Sequence, residues 1–180
     1  MVWPRRGITT GSRQKGNKSM SQQTTPDAQF MNQAIMLATE NVLSGVGGPF
    51  GAVVVRDGNI LATGTNEVTK SNDPTAHAEV VAIRNACRII GSFKLDGCVI
   101  YTSCEPCPMC LAAIYWARCE AIFYGNSAAE AAKIGFDDQF FYEELSRSHT
   151  DRQLPIKQCM SQEAWVSFEA WEKSPLKIQY

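Results

Sequence analysis

Two short segments, His77-Ala78-Glu79 and Pro106-Cys107-Pro108-Met109-Cys110, hold the residue types that can do chemistry together. Zinc prefers imidazole nitrogen and thiolate sulfur in a tetrahedral shell, and it becomes catalytic when only three positions are protein. His77, Cys107 and Cys110 make three. Cysteines at i and i+3 project from one face of a helix's first turn, where the positive end of the helix dipole favours thiolate over thiol. Zinc also brings the pKa of a bound water down to about 7, which supplies a nucleophile at neutral pH. Glu79, two residues beyond His77, is placed to take that water's proton and pass it to a leaving group. The expected chemistry is metal-assisted hydrolysis in which one carboxylate serves as base and then as acid.

Plainer readings exist. A C-x-x-C pair also forms redox couples and structural zinc knuckles, and Cys104 extends the run to C-x-x-C-x-x-C. With Cys104 as a fourth ligand the shell would be closed and the chain a structural zinc module. A structural site has no use for Glu79, and a domain of this size folds without metal, so Cys104 is expected to end a strand. Cys87, Cys98, Cys119 and Cys159 are expected to be small buried hydrophobes. His149, between Ser148 and Thr150, is expected at the surface.

The chain has 180 residues, which fits one domain able to bury a core without disulfide staples. Seven cysteines, no secretory signal and no long apolar run argue for a reduced, soluble, cytoplasmic protein without a membrane span. The net charge of −1 conceals an asymmetry, because the first 25 residues hold Arg5, Arg6, Arg13, Lys15 and Lys18 and no acid. Taking those five from 17 basic residues leaves 12 against 18 acids, about −6 for the remainder, a poor match for a nucleic-acid backbone.

Residues 1–25 are polar, Gly- and Ser-containing and without hydrophobic periodicity, and are expected to be a disordered extension, with Met20 an alternative start. Residues 26–180 are expected to form the folded domain. A helix starts at Pro26 and Asp27, with Phe30, Ala34, Ile35, Ala38 and Val42 on its buried face, and stops at Gly45–Gly48. Residues 52–56 and 59–64 around Asp57-Gly58 predict a β-hairpin. Helix 76–90, strand 97–103, helix 107–118 and strand 120–124 follow, then helices near 127–133, 138–146 and 161–173. This alternation predicts an α/β fold with helices packed on a sheet. The glycines before Phe50 do not match a dinucleotide-binding turn; they suit a backbone passing close to a flat ligand, with Phe50 either stacked on it or part of the core.

These motifs, with Gly-Gly-Pro-Phe-Gly-Ala at 47–52, Thr65-Asn66-Glu67-Val68, Asn72 to Val80, Thr102 to Cys110 and Gly135-Phe136-Asp137-Asp138, resemble the bacterial guanine deaminases of the cytidine deaminase superfamily. H-x-E with P-C-x-x-C is the signature of zinc-dependent nucleobase deaminases. The resemblance runs from about residue 28 to the terminal Tyr180 and departs from the family only in the N-terminal tail. It implies a three-layer αβα sandwich with a mixed central sheet, zinc on His77, Cys107 and Cys110, and Glu79 as proton shuttle. It implies a small purine as substrate, held by Phe50, Asn66, the Ala78 backbone amide and Asp138. It further implies a homodimer whose C-terminal segments are exchanged, Tyr180 closing the partner's site. Guanine displays N1–H and a 2-amino group side by side, two donors that the Asp138 carboxylate can accept and adenine lacks. On residue type alone, Asp137 or Asp138 serves equally as a helix N-cap. Guanosine and, less favoured, tRNA adenosine are the alternative substrates within the fold.

Overall fold

The structure, a computed structural model, describes residues 25–180. The extension expected over 1–25 thus lies, except for its last residue, outside the described residues. Helix α1 spans Ala28–Leu43, and the Asp27 carboxylate caps it by accepting from the Gln29 amide at 2.8 Å. Strands β1 (Gly51–Arg56) and β2 (Asn59–Thr65) form the hairpin, with Asp57 and Gly58 both at positive φ in its two-residue turn. A short helix α2 (Val68–Ser71), absent from the sequence reading, precedes α3 (Ala78–Ile90). Then come β3 (Cys98–Cys104), α4 (Pro108–Ala117), β4 (Ala121–Asn126), α5 (Ala128–Ala132), α6 (Gln139–Ser146) and α7 (Ser161–Lys173).

The sheet order is β2-β1-β3-β4, antiparallel except for the β3/β4 pair, so the sheet is mixed. The period of two along the strands sends alternate residues to opposite faces. Val53, Val55, Val99 and Tyr101 meet Phe30 of α1 on one side. Ala52, Val54, Cys98 and Ile100 meet α3 and α4 on the other. The result is the expected αβα sandwich. Strand β3 is buried along its whole length, as a strand covered on both faces must be.

Close approach of α3 to the sheet follows from its inner row, Ala78, Ala82 and Ala86, each at i+4 from the last and fully buried. Opposite them lies Gly64 of β2, where a Cβ would run into the Ala78 carbonyl and the Ala82 amide. The α1 face differs from expectation. Phe30, Ala34 and Ala38 are buried, but Ile35 and Val42 are 45% and 47% exposed and Asn41 takes the inner position. Asn41 is accommodated because its Nδ2 donates to the carbonyls of Gly48 and Asn66, both at 2.9 Å. Gly64→Ala is expected to lower unfolding free energy by about 1–3 kcal/mol, read from urea titration, because both obstructing atoms are helix backbone.

Candidate functional site

The site forms where the starts of α3 and α4 meet beside the end of β3. His77 is the N-cap of α3 and Cys107 the N-cap of α4, both with extended backbone. Pro108 follows at the first helical position, where its missing N–H costs nothing. Cys110 sits in the first turn of α4, fully buried. His77 Nδ1 is 3.6 Å from Cys107 Sγ and 3.5 Å from Cys110 Sγ, and the three donor atoms lie within 4.8 Å of one another. Tetrahedral zinc with bonds of about 2.3 Å to sulfur and 2.0–2.1 Å to nitrogen sets ligand atoms about 3.5 Å apart, so this donor set fits the metal.

The three groups already share protons. Cys107 is brought down to about 4, first by the hydrogen bond from Cys110 and then by His77, against the opposing pull of burial. Cys110 and His77 are both pushed up, chiefly through their hydrogen bonds with Cys107. A cation entering this group displaces those protons. Cys104 stands apart. It ends β3 as expected, its Sγ lies 3.9 Å from the Ser127 carbonyl, and burial pushes its thiol up to about 11. The structure does not bring it into the donor group.

Glu79 lies in the first turn of α3, only 5% exposed, and burial pushes its carboxyl above the ordinary range. The Thr102 hydroxyl donates to its Oε1 at 3.2 Å. Asp138 borders the same cavity as His77 and Cys107, and its pKa is raised first by burial and then by the Cys107 charge. Asp138 makes no side-chain cap to α6; the Asp137 carboxylate accepts from the Phe140 amide at 3.4 Å instead, leaving the second aspartate to face the cavity. The cavity encloses about 850 Å³ and continues away from the metal donors along Phe140, Phe141, Leu154 and Ile156.

Phe50 meets Phe136 edge to face, centroids 4.8 Å apart, and also packs against the core. Asn66 is buried; its Oδ1 accepts from the Val68 amide and its backbone N–H donates to the Phe50 carbonyl. At Gly47 a Cβ would run into the Asn66 carbonyl and the Asn41 side-chain amide, so the close packing of the protein itself already requires a glycine there. Ala78 is fully buried at the start of α3. Tyr180 is not beside its own chain's cavity; its ring lies 6.0 Å from that of Trp116 and 6.4 Å from those of Phe93 and Trp171. His149 is exposed as expected; Cys159 is exposed too, against expectation, in the coil between α6 and α7, and Cys87 and Cys119 are half-buried.

Sequence reasoning missed Asn41, Thr102 and Tyr142 as supports of the site. The Tyr142 hydroxyl donates to the Pro106 carbonyl at 3.1 Å, tying α6 to the loop that carries Cys107. Polar residues at inward helix and strand positions were the available signal for the first two.

A buried carboxylate beside an imidazole and two thiols, on paired helix starts over a mixed sheet, defines a zinc-dependent deaminase site. Residues 24–126 match the cytidine and deoxycytidylate deaminase zinc-binding region, and the chain belongs to that family. Zinc is its cofactor. Over 151 residues it is 53% identical to guanine deaminase of Bacillus subtilis, covering 84% of this chain and 97% of that protein. The X-ray structure of guanine deaminase from Bacillus subtilis superposes with a TM-score of 0.84 at 51% identity, covering 87% of this chain and 99% of that one. A tRNA-specific adenosine deaminase of Agrobacterium fabrum is 41% identical over 52% of this chain and 61% of its own length. Cys107→Ser is expected to lower zinc content from one per chain to below about a tenth, whereas Cys104→Ser keeps full occupancy; metal analysis of purified variants decides, and loss with Cys104→Ser would mark a closed, four-ligand site.

Proposed function

We propose that this protein hydrolyses guanine to xanthine and ammonia. The observation that carries the reading is that 53% identity to a guanine deaminase extends over 84% of this chain, including the segment with Asp138, and 97% of that protein, whereas a tRNA-specific adenosine deaminase of Haemophilus influenzae is 36% identical over 69% of the chain. His77, Cys107 and Cys110 hold the zinc. When bound, the metal supplies an acidified water as nucleophile. Glu79 would take a proton from the attacking water and pass it to a ring nitrogen as a C–O bond forms at C2, then move the remaining proton of the new C2 hydroxyl to the 2-amino group as its C–N bond breaks. Water and guanine thus balance xanthine and ammonia. Burial holds the Glu79 pKa above the ordinary carboxyl value, which suits a group that must both accept and release protons near neutrality.

Asp138 accepts from the guanine N1–H and 2-amino donors, Asn66 and the Ala78 amide meet the other edge of the base, and Phe50 lies against its face. Adenine would leave Asp138 and Asn66 unpaired, and sites built on buried hydrogen bonds reject such analogues by about 10⁴ or more. The −6 balance of residues 26–180 disfavours a tRNA substrate. Side-by-side ultraviolet assays on guanine, guanosine, adenine and a tRNA anticodon stem should show guanine turned over at least about 10⁴ times faster than adenine. Comparable rates on guanine and adenine, or turnover of the tRNA alone, would overturn the assignment.

The working unit in this reading is a homodimer with exchanged C-terminal segments, Tyr180 covering the partner's pocket. Helix α7 supports it: no residue of α7 is buried, and Trp165, Phe168 and Trp171 are 56%, 65% and 46% exposed, an apolar face that a monomer has no reason to keep. Seven free cysteines fit a reducing, cytoplasmic setting. Among the described residues no helix is long and apolar enough to cross a membrane. Glu79→Gln chains and chains lacking Tyr180 are each expected to lose about 10²-fold or more in turnover. Mixed dimers of the two should regain about a quarter to half of wild-type activity, because one pocket then combines an intact Glu79 with a donated Tyr180. No recovery in a verified mixed dimer would exclude exchange.

A further inference from the structure

We propose that Thr102 is the positioning residue for Glu79, its hydroxyl holding Oε1 so that protons are carried on Oε2 alone. The inference rests on the reading of Glu79 as proton carrier. A glutamate has three side-chain torsions, and a free carboxylate presents two equivalent oxygens; productive transfer needs one of them aimed at the reacting atoms. Thr102 has what is needed to break that equivalence. It is 1% exposed and sits within β3, paired with Ala52 of β1 on one side and Tyr124 of β4 on the other. Its β-branched side chain is stiff at χ1, so the hydroxyl is fixed relative to the same strand that runs on to Cys107. From there Oγ1 donates to Glu79 Oε1 across 3.2 Å, between residues 23 apart in sequence.

The bond survives turnover because a hydroxyl can donate to a carboxylate oxygen and, more weakly, to the carbonyl oxygen of a protonated acid. With Oε1 engaged in both states, the proton that Glu79 gains and loses resides on Oε2. Threonine is otherwise an odd choice at this position: Cys98 and Ile100, which precede it on the same face of β3, belong to the apolar cluster against α3 and α4, and a buried hydroxyl without a partner is destabilising.

Thr102→Val keeps branching and volume while deleting the donor; Thr102→Ser keeps the donor. Thr102→Val is expected to lower kcat about 10- to 100-fold with KM for guanine within about twofold and one zinc per chain, and Thr102→Ser to stay within about threefold of wild type. In a Glu79→Gln background Thr102→Val should cost nothing further. Should valine reduce the yield of folded protein, Thr102→Ala replaces it, and recovery by serine still separates loss of the hydroxyl from loss of packing. A readout independent of turnover uses metal-free protein: the infrared carboxyl band assigned by its disappearance in Glu79→Gln should shift in Thr102→Val and stay put in Thr102→Ser. Equal losses for valine and serine, or a valine variant with wild-type kcat and an unmoved band, would overturn the proposal. Wild-type protein inert on guanine would instead sink the functional reading, while the infrared comparison would still test the contact.

Discussion

The constraint on which the rest depends is that two helix starts, thirty residues apart in sequence, must bring His77, Cys107 and Cys110 within bonding distance of one ion. His77 and Cys107 are N-caps, where the backbone turns from extended to helical, and Cys110 lies in the first turn of α4. The positive end of each helix dipole lies at these starts, a field that favours thiolate over thiol and carboxylate over acid. Against that field stands burial, which pushes Glu79 up and would do the same to Cys107 were it not for its hydrogen-bonding neighbours. The site is thus built from opposed forces: low dielectric that makes every interaction strong, and fixed dipoles that keep the anions tolerable.

Holding two helix starts together requires a rigid floor, which is β3. It is buried over its whole length, hydrogen-bonded on both sides, and ends at Cys104 just before the loop that carries Cys107. Buried polar side chains are few among the described residues: Asn41, Asn66, Glu79, Thr102 and Ser103. All five stand at the site or brace it. Asn41 ties α1 to the Gly48 and Asn66 carbonyls, Ser103 accepts from the Gly51 amide, and Thr102 meets Glu79. No buried side-chain nitrogen or oxygen among the described residues lacks a partner. Polarity in this core is confined to the place where chemistry needs direction, as the desolvation cost of unpaired groups demands.

Much of this was legible from residues alone because the relevant signals are local. Cap and turn chemistry marks the α1 start and the hairpin, and the ligand spacing is written in two segments of a few residues each. What escaped was set by contacts across the fold. α2 is four residues long, too short for any periodicity to register. The α1 face drifted because Asn41, polar by type, finds two carbonyls that only tertiary packing supplies, while Ile35 and Val42 turn outward. Asp137 and Asp138 are equivalent on paper; the fold separates them by giving Asp137 the Phe140 amide and Asp138 the cavity. Gly47 shows a cause invisible in the sequence, since the atom that demands a glycine there is the Asn66 carbonyl, brought in by the fold.

The C-terminal third obeys a different economy from the rest. Up to β4 the chain satisfies itself, burying an apolar cluster on each face of the sheet. Beyond it, α6 and α7 have no buried residue, yet they hold Phe140, Phe141, Trp165, Phe168 and Trp171. A segment this aromatic lowers its free energy by about 25 cal/mol for each Å² it removes from water, so its exposure is a cost that burial against another surface would offset. Two attachments of the α6 segment to the body are site contacts: Tyr142 on the Pro106 carbonyl and, just ahead of the helix, Phe136 on Phe50. Asp138 lies between them. Whatever buries this apolar segment would therefore also steady Asp138 at the cavity, through those two contacts and with no change in the metal donors.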